Sequence, residues 1–295
     1  QPTGKFAPMR FLFPQLGSID ASAPKTERLR QLAGVMTRRD NGRLARTIVN
    51  RLWARLLGRG LVEPVDEMDN PPWNADLLDF LANDLVGHGY DLKHTITQIV
   101  GSRAYQRASV GLAENSREEF VFRGPLVRRL SAEQFVDAVA VLTGIEYAPP
   151  AAKPAALAET ATSELGDASG SFTLQRAGAR AALVNADPLL IALGRSNREQ
   201  VVTERPKTAA TLQALELTNG TPLAALLERG AKKWLQPGEE PTKLAERVYR
   251  RALLRAPTPA EQTLALELLG PTPTAEGIED LLWAVVMLPE FQLIY

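Results

Sequence analysis

With 295 residues, the chain is long enough for one large domain or two of ordinary size, and its hydrophobic share of 45% is enough for a sizeable core. The 34 lysines and arginines balance 34 aspartates and glutamates, so the formal net charge is zero. Such a chain has no overall field that would draw it to nucleic acid or to an anionic membrane. We therefore predict no nucleic-acid partner.

The sequence contains no cysteine. This excludes disulfides, cysteine-ligated zinc, iron–sulfur clusters, covalent haem attachment and thiol catalysis within this chain. No apolar run approaches the roughly 18 residues of a membrane-spanning helix, so we predict no transmembrane segment. The first residue is Gln1 rather than methionine, which is compatible with the removal of a signal peptide or of a longer upstream region.

Apolar residues recur at three- and four-residue steps through most of the chain, and strand patterns are scarce. We predict an all-α fold: an irregular multi-helix domain of roughly ten helices, with at most a short edge strand near the N-terminus at 11–13. The expected segments are an extended arm (1–23), an N-terminal helical core (24–148), a flexible Ala/Pro/Ser/Thr-rich insertion (149–175) and a C-terminal helical part packing on the core (176–295). The predicted helices span 24–37, 43–57, 74–86, 92–103, 131–143, 187–194, 207–218, 222–229, 242–255, 259–269 and 275–288.

Several helix boundaries carry a capping signal. Asp40 or Asn41 precedes the second helix, Asn74 or Asp76 starts the third, Asp91 precedes the fourth, and Ser131-Ala-Glu-Gln134 has the spacing of a capping box. After Pro289 the chain ends in an apolar tail, which we expect to pack back on the helices.

The helix predicted at 43–57 has two different faces. Its apolar face consists of Leu44, Ile48, Val49, Leu52, Trp53 and Leu56, and its polar face of Arg43, Arg46, Asn50, Arg51 and Arg55. The loop that follows carries Glu63, Asp66, Glu67 and Asp69 and ends at Asn70-Pro71-Pro72. The carboxylates could bind a hard cation, but the glycine and the ligand spacing of a calcium loop are missing. Ion pairs with Arg51, Arg55 or Arg59 are favoured, and they predict a buried network that fixes the loop to the helix.

One polar cluster is the candidate site, and no metal or cofactor is assigned to it. Its members are Arg46, Asn50, Arg51, Asp66, Asp69 and His88. The only two histidines, His88 and His94, are six residues apart with Gly89 between them, so their spacing does not favour a shared metal site. Gly-His-Gly is typical of a helix C-terminus, where an imidazole complements the helix dipole.

Catalytic motifs are not found. The sequence lacks a Gly-X-Ser-X-Gly elbow, a phosphate loop and a dinucleotide fingerprint. The local basic spots are Arg128-Arg129 and the stretch from Arg195 to Arg205, which could bind phosphate, sulfate or carboxylate groups. Because Glu199 and Glu204 are interleaved in the second spot, internal salt bridges are at least as well supported. The sequence does not decide whether the chain is an enzyme, but the missing motifs favour a non-catalytic role.

Most of the chain, from about residue 10 to the end, resembles the planctomycete-type domain of unknown function 1553. The matching residues include Ala45-Arg46-Thr47-Ile48-Val49-Asn50-Arg51-Leu52-Trp53, Gly58-Arg59-Gly60-Leu61-Val62, Asn70-Pro71-Pro72, His88-Gly89-Tyr90-Asp91-Leu92-Lys93 and Tyr249-Arg250-Arg251-Ala252-Leu253. The resemblance implies an exported, periplasmic or cell-surface module at the C-terminal end of large proteins, behind a cytochrome c-like region. Family members often carry a Cys-X-Cys where this chain has Val201 and Thr203, so a redox or metal role of those cysteines does not carry over.

The leading hypothesis is a non-catalytic helical interaction or scaffold module of an exported protein, whose partner is another protein or an upstream domain of the same precursor. One alternative is a carbohydrate-binding or carbohydrate-acting module with a cleft lined by Trp53, Trp73, Tyr90, His88, Asp66 and Asp69. Another is an accessory subunit of a cytochrome-containing electron-transfer complex.

Overall fold

The computed structural model describes residues 13–111, 120–147, 180–183, 186–196, 205 and 210–295. Most of the expected arm, including residues 11–12, lies outside the described residues, as does the whole of the expected insertion at 149–175. Val201 and Thr203 also lie outside them. The chain divides into two compact units at Arg128, and the second unit extends to Ile294.

The all-α prediction is confirmed. The described part of the first unit contains α1 (Lys25–Met36), α2 (Gly42–Leu57), α3 (Ala75–Gly87) and α4 (Leu92–Val100). That of the second contains α5 (Ala132–Thr143), α6 (Pro188–Ala192), α7 (Thr211–Asn219), α8 (Thr221–Trp234), α9 (Pro241–Leu253), α10 (Pro259–Leu269), α11 (Ala275–Met287) and α12 (Pro289–Gln292). Within the described ranges, no helix has both the length and the apolar character that crossing a membrane requires.

The two strands lie elsewhere than expected. They are β1 (Arg128–Arg129) and β2 (Leu293–Ile294), and together they form one small sheet. Phe13, the described end of the expected N-terminal strand, lies in irregular chain just before the 3-10 helix Pro14–Leu16. The segment boundaries expected from the sequence stay a prediction.

Local capping signals predicted the helix starts well. The Asn74 and Asp91 side chains accept backbone N–H bonds at the starts of α3 and α4, and Ser131 and Gln134 form the predicted capping box of α5. Asn41 is the N-cap residue of α2, but its side chain donates to the Val35 carbonyl at 3.2 Å and does not bond to the helix end. These starts are predictable because each depends on residues two or three positions apart.

The core of the first unit lies around α2. The residues at every fourth position of this helix, Ala45, Val49, Trp53 and Leu57, are buried against α3 and α4. The buried stripe is turned toward Asn50 relative to the apolar face read from the sequence, because Ile48, Leu52 and Leu56 are only partly buried. Asn50, a residue of the polar face, is therefore enclosed.

The core of the second unit is built mainly by α5, α8, α9 and α11. Helix α8 was expected to stop at 229, before Gly230, but it continues to Trp234. Gly230 lies at a close helix–helix contact, because a Cβ at this position would lie 2.6 Å from the Thr143 side chain on α5. This glycine therefore allows two helices to approach and does not end one. The C-terminal tail packs back as predicted, with Phe291 at 6.0 Å from Phe135 between ring centroids.

Candidate functional site

Asn50, the central residue of the predicted polar cluster, is a structural residue. Its side chain is 0% exposed. The amide oxygen accepts the N–H of Val62 at 2.9 Å, and the amide nitrogen donates to the carbonyls of Val62 at 3.0 Å and Val65 at 2.8 Å. Both the amide oxygen and the amide nitrogen of Asn50 bond to backbone groups of the loop after α2. Asn50 therefore fixes this loop to the helix.

The charged members of the cluster form separate ion pairs at the surface. Arg51 contacts Asp66 at 2.6 Å, and Asp69 pairs with Arg43 at 2.6 Å. Arg46 reaches across to Asp79 on α3. The expectation of a buried ionic network is therefore wrong, since these arginines stay half exposed while the neutral Asn50 makes the buried contacts. This division is physically reasonable, because burying paired charges costs more desolvation than burying one amide.

The two tryptophans proposed to line a sugar cleft lie in an aromatic cluster inside the first unit. Trp53 is buried, and its ring centroid is 6.4 Å from that of Trp73. Trp73 stacks on Phe122 at 5.8 Å and donates its indole N–H to the Gly60 carbonyl at 3.1 Å. Stacking on a sugar needs an open aromatic face, so this arrangement does not support the carbohydrate hypothesis.

A second polar cluster, which we call the His–Asp–His cluster, consists of Asp84, His88 and His94. Asp84 Oδ2 lies 3.0 Å from His94 Nε2, and Asp84 Oδ1 lies 3.3 Å from His88 Nδ1. The two imidazole rings stack with centroids 3.8 Å apart and planes inclined by 21°. One possible ligand atom from each residue lies within 4.8 Å of the others. The structure thus brings together the two histidines that their sequence spacing kept apart.

The turn between α3 and α4 produces this arrangement. Gly89 and Tyr90 both have left-handed backbone angles, with φ of 63° and 64°. Glycine adopts this region freely, whereas a tyrosine there is uncommon. The Tyr90 N–H bonds to the Leu85 carbonyl at 2.8 Å, which closes the turn, and Asp91 then caps α4 so that the ring of His94 returns to Asp84.

Part of this signal was present in the sequence. Asp84 lies in the last turn of α3 and His88, four residues later, is the C-cap residue on the same side, and His94 follows at the third position of the next helix. The missing information was the tight reversal at Gly89 and Tyr90. Two imidazole nitrogens with one carboxylate oxygen are donors that suit divalent transition metals, and this cluster is the candidate metal centre within the described residues.

The basic spots form internal contacts. Arg128 donates to a main-chain carbonyl of α2, and burial lowers the pKa of its guanidinium. Arg129 donates to a glutamine side chain of α7. In the second spot, Arg205 forms a two-point ion pair with Glu133, and this bond holds the pKa of the carboxyl below its ordinary value. Arg195, which is buried, lies beside the same carboxylate at 3.7 Å.

The second unit also contains a buried tyrosine–carboxylate contact that the sequence did not indicate. The Tyr147 hydroxyl donates to Asp187, whose other oxygen accepts the Leu190 N–H at 2.9 Å and caps α6. Burial, followed by the nearby carboxylate, raises the pKa of the Tyr147 hydroxyl. Both groups are satisfied by the protein itself, so we interpret the contact as structural.

Helix α10 exposes leucines on its outer face. Ala265 and Leu269 are buried between α9 and α11, while Leu264 and Leu268 are 60% and 39% exposed. The last two are four residues apart and therefore neighbours on one helix surface, which we call the α10 face. Leu254, at the turn before α10, is 90% exposed. A surface helix with leucines on both sides is unusual, since its outer face is normally polar.

Comparison with known proteins gives a family without an assigned activity. Neither curated proteins nor solved structures gave a significant match. A family model described as "Protein of unknown function (DUF1553)" and named PSD1 matches residues 28–269, well over half of the chain. The protein belongs to the PSD1 family of proteins of unknown function.

Proposed function

We propose that this chain is a non-catalytic helical interaction module, and that its α10 face binds a second copy of the same chain. The observation that supports the proposal is the exposure of Leu264 and Leu268 on a well-packed helix. Covering such side chains on association removes apolar surface from water, which is the main favourable term in protein–protein binding.

The charge at the start of α10 is paired within the protein. Arg255, just before the helix, is already paired with Glu261 at 2.8 Å and with Glu290 at 2.6 Å. A partner would therefore meet leucines flanked by compensated charge at the start of α10 and by the exposed Glu267 beside Leu268. The formal net charge of the whole chain is zero, so two copies experience no net long-range repulsion. One helix face can also pair with its own copy around a two-fold axis.

Light scattering coupled to size exclusion tests this directly. We expect the wild-type chain to form dimers at a concentration of about 100 μM and the L264E/L268E variant to be monomeric, because each glutamate would be desolvated in the interface. The matched control is L29E, which charges a 55% exposed leucine on α1 and should leave the dimer intact. A monomeric wild type refutes self-association, and so does a dimer that survives L264E/L268E.

We also propose that the module belongs to an exported protein, in the periplasm or at the cell surface. This part rests on the family resemblance alone. Fractionation of cells that express the full-length protein would test it, and recovery of the chain in the cytoplasmic fraction would refute it.

A further inference from the structure

We propose that the His–Asp–His cluster binds one divalent transition-metal ion, with zinc as the reference ion. This inference does not depend on the function proposed for the α10 face. The cluster supplies two imidazole nitrogens and one carboxylate, and imidazole ligands favour zinc, copper, nickel and iron over calcium and magnesium.

The distances fit a small cation. Zinc binds histidine nitrogen and carboxylate oxygen at about 2.1 Å, so atoms that share one zinc lie between about 3 and about 4 Å apart. The Asp84 oxygens lie 3.0 Å and 3.3 Å from the histidine nitrogens. The widest separation among the three donors is at most 4.8 Å. The His88 side chain is 50% exposed, so its ring has room to rotate and bring its nitrogen within the roughly 3 to 4 Å that donors to one zinc ion require.

The hydrogen bonds of the two rings show what the metal would replace. His88 Nδ1 lies 2.9 Å from the Asp84 carbonyl, which can only accept, so that nitrogen carries the hydrogen. His94 Nε2 faces the Asp84 carboxylate in the same way. Metal binding through these nitrogens requires a lone pair on each, so the ring hydrogen moves to the other nitrogen of each imidazole. On each ring one N–H bond breaks and one forms at the other nitrogen by exchange with solvent, so both rings change tautomer when the ion binds and no proton is released overall.

The composition of the chain makes the imidazole signals easy to assign in an NMR titration. It has no cysteine, and His88 and His94 are its only histidines. On protein prepared without a histidine tag, ¹⁵N NMR at about pH 7.5 would show two imidazole spin systems during titration with zinc. We expect equimolar zinc to shift both and to change the tautomer of both. Calcium and magnesium should change neither signal, because they prefer all-oxygen sites.

Calorimetric titration with zinc completes the test. We expect H88A, H94A and D84N each to weaken binding by about tenfold or more, since loss of even an outer-shell partner costs 10- to 100-fold. The control D76N removes an exposed carboxylate from the same helix and should bind as wild type. Wild-type imidazole signals that do not move with zinc overturn the proposal. Equal binding by wild type and both histidine variants also overturns it and shows adventitious carboxylate binding only.

Discussion

Replacing Asn50 should destabilise the first unit far more than replacing its charged neighbour Arg51. In N50A, the N–H and carbonyl of Val62 and the carbonyl of Val65 lose their partner. A buried backbone group without a partner costs about 1–3 kcal/mol. Val62 is 1% exposed, whereas Val65 is only half buried and water can replace one bond. We therefore expect N50A to lower the free energy of unfolding by about 3–5 kcal/mol.

The control variant is R51A. Arg51 lies next along the same helix and forms its ion pair with Asp66 at the surface, where such pairs contribute about 0–1 kcal/mol. A third variant, N50D, separates hydrogen-bonding chemistry from shape. It keeps an oxygen for the Val62 N–H but faces two carbonyl oxygens without a donor. We expect it to be at least as destabilising as N50A.

Urea unfolding followed by tryptophan fluorescence can isolate the first unit. Of the four tryptophans, Trp53 and Trp73 lie in this unit, and Trp234 and Trp283 lie in the other. In a W234F/W283F background, the emission reports only on the aromatic cluster packed beside the loop that Asn50 holds. A loss below about 1 kcal/mol for N50A, or an equal loss for R51A, would show that the loop does not depend on these hydrogen bonds.

Three further predictions concern other parts of the fold. Arg255 lowers the pKa of Glu261 from 4.5 to about 2, so the pair should stabilise the protein above about pH 4.5 and lose this effect as the pH falls toward 2. Because the pair is partly exposed, E261Q should cost only about 1 kcal/mol at pH 7, and its urea midpoint should converge with that of wild type in acid. G230A should lower stability by about 1–3 kcal/mol in calorimetry, since its methyl group would overlap Thr143. G34A, in exposed α1 with no atom within 4 Å of the new methyl, should raise stability by about 0.5–1 kcal/mol; equal effects of the two glycine substitutions would refute the packing argument.

The sequence predicted features that depend on neighbouring residues. Helix type follows from apolar spacings of three and four positions, and the caps at Asn74, Asp91 and Ser131 follow from side chains that bond two or three positions ahead. The prediction from sequence failed where the contacting residue comes from a distant part of the chain. Glycine is typical of helix ends, yet α8 continues through Gly230, and a glycine is needed there because Thr143 on another helix leaves no room for a side chain. Glycine is typical both of a helix end and of a close contact between two helices, so only the tertiary structure shows which of the two applies.

The candidate site shows the same limit in a different form. Asn50 was placed on the polar face of α2 among charged residues, but its hydrogen-bonding groups match the backbone of a loop that folds over it. His88 and His94 were separated because six residues do not return to one helix face. Two consecutive left-handed residues, Gly89 and Tyr90, reverse the chain and bring the rings together. No helical or strand periodicity encodes such a reversal.

Burial decides which polar residues of this chain are available to a ligand. Asn50 is fully enclosed and its bonds to the loop are complete, so a ligand could bind it only by breaking the loop. His88 is half exposed, and both rings use a bond to Asp84 that a metal ion can replace. Substituting His88 should therefore remove binding at little cost to folding, whereas substituting Asn50 should do the opposite. Of the six residues in the predicted polar cluster, His88 is the one that belongs to the proposed metal site. Its partners there, Asp84 and His94, were not part of the predicted cluster.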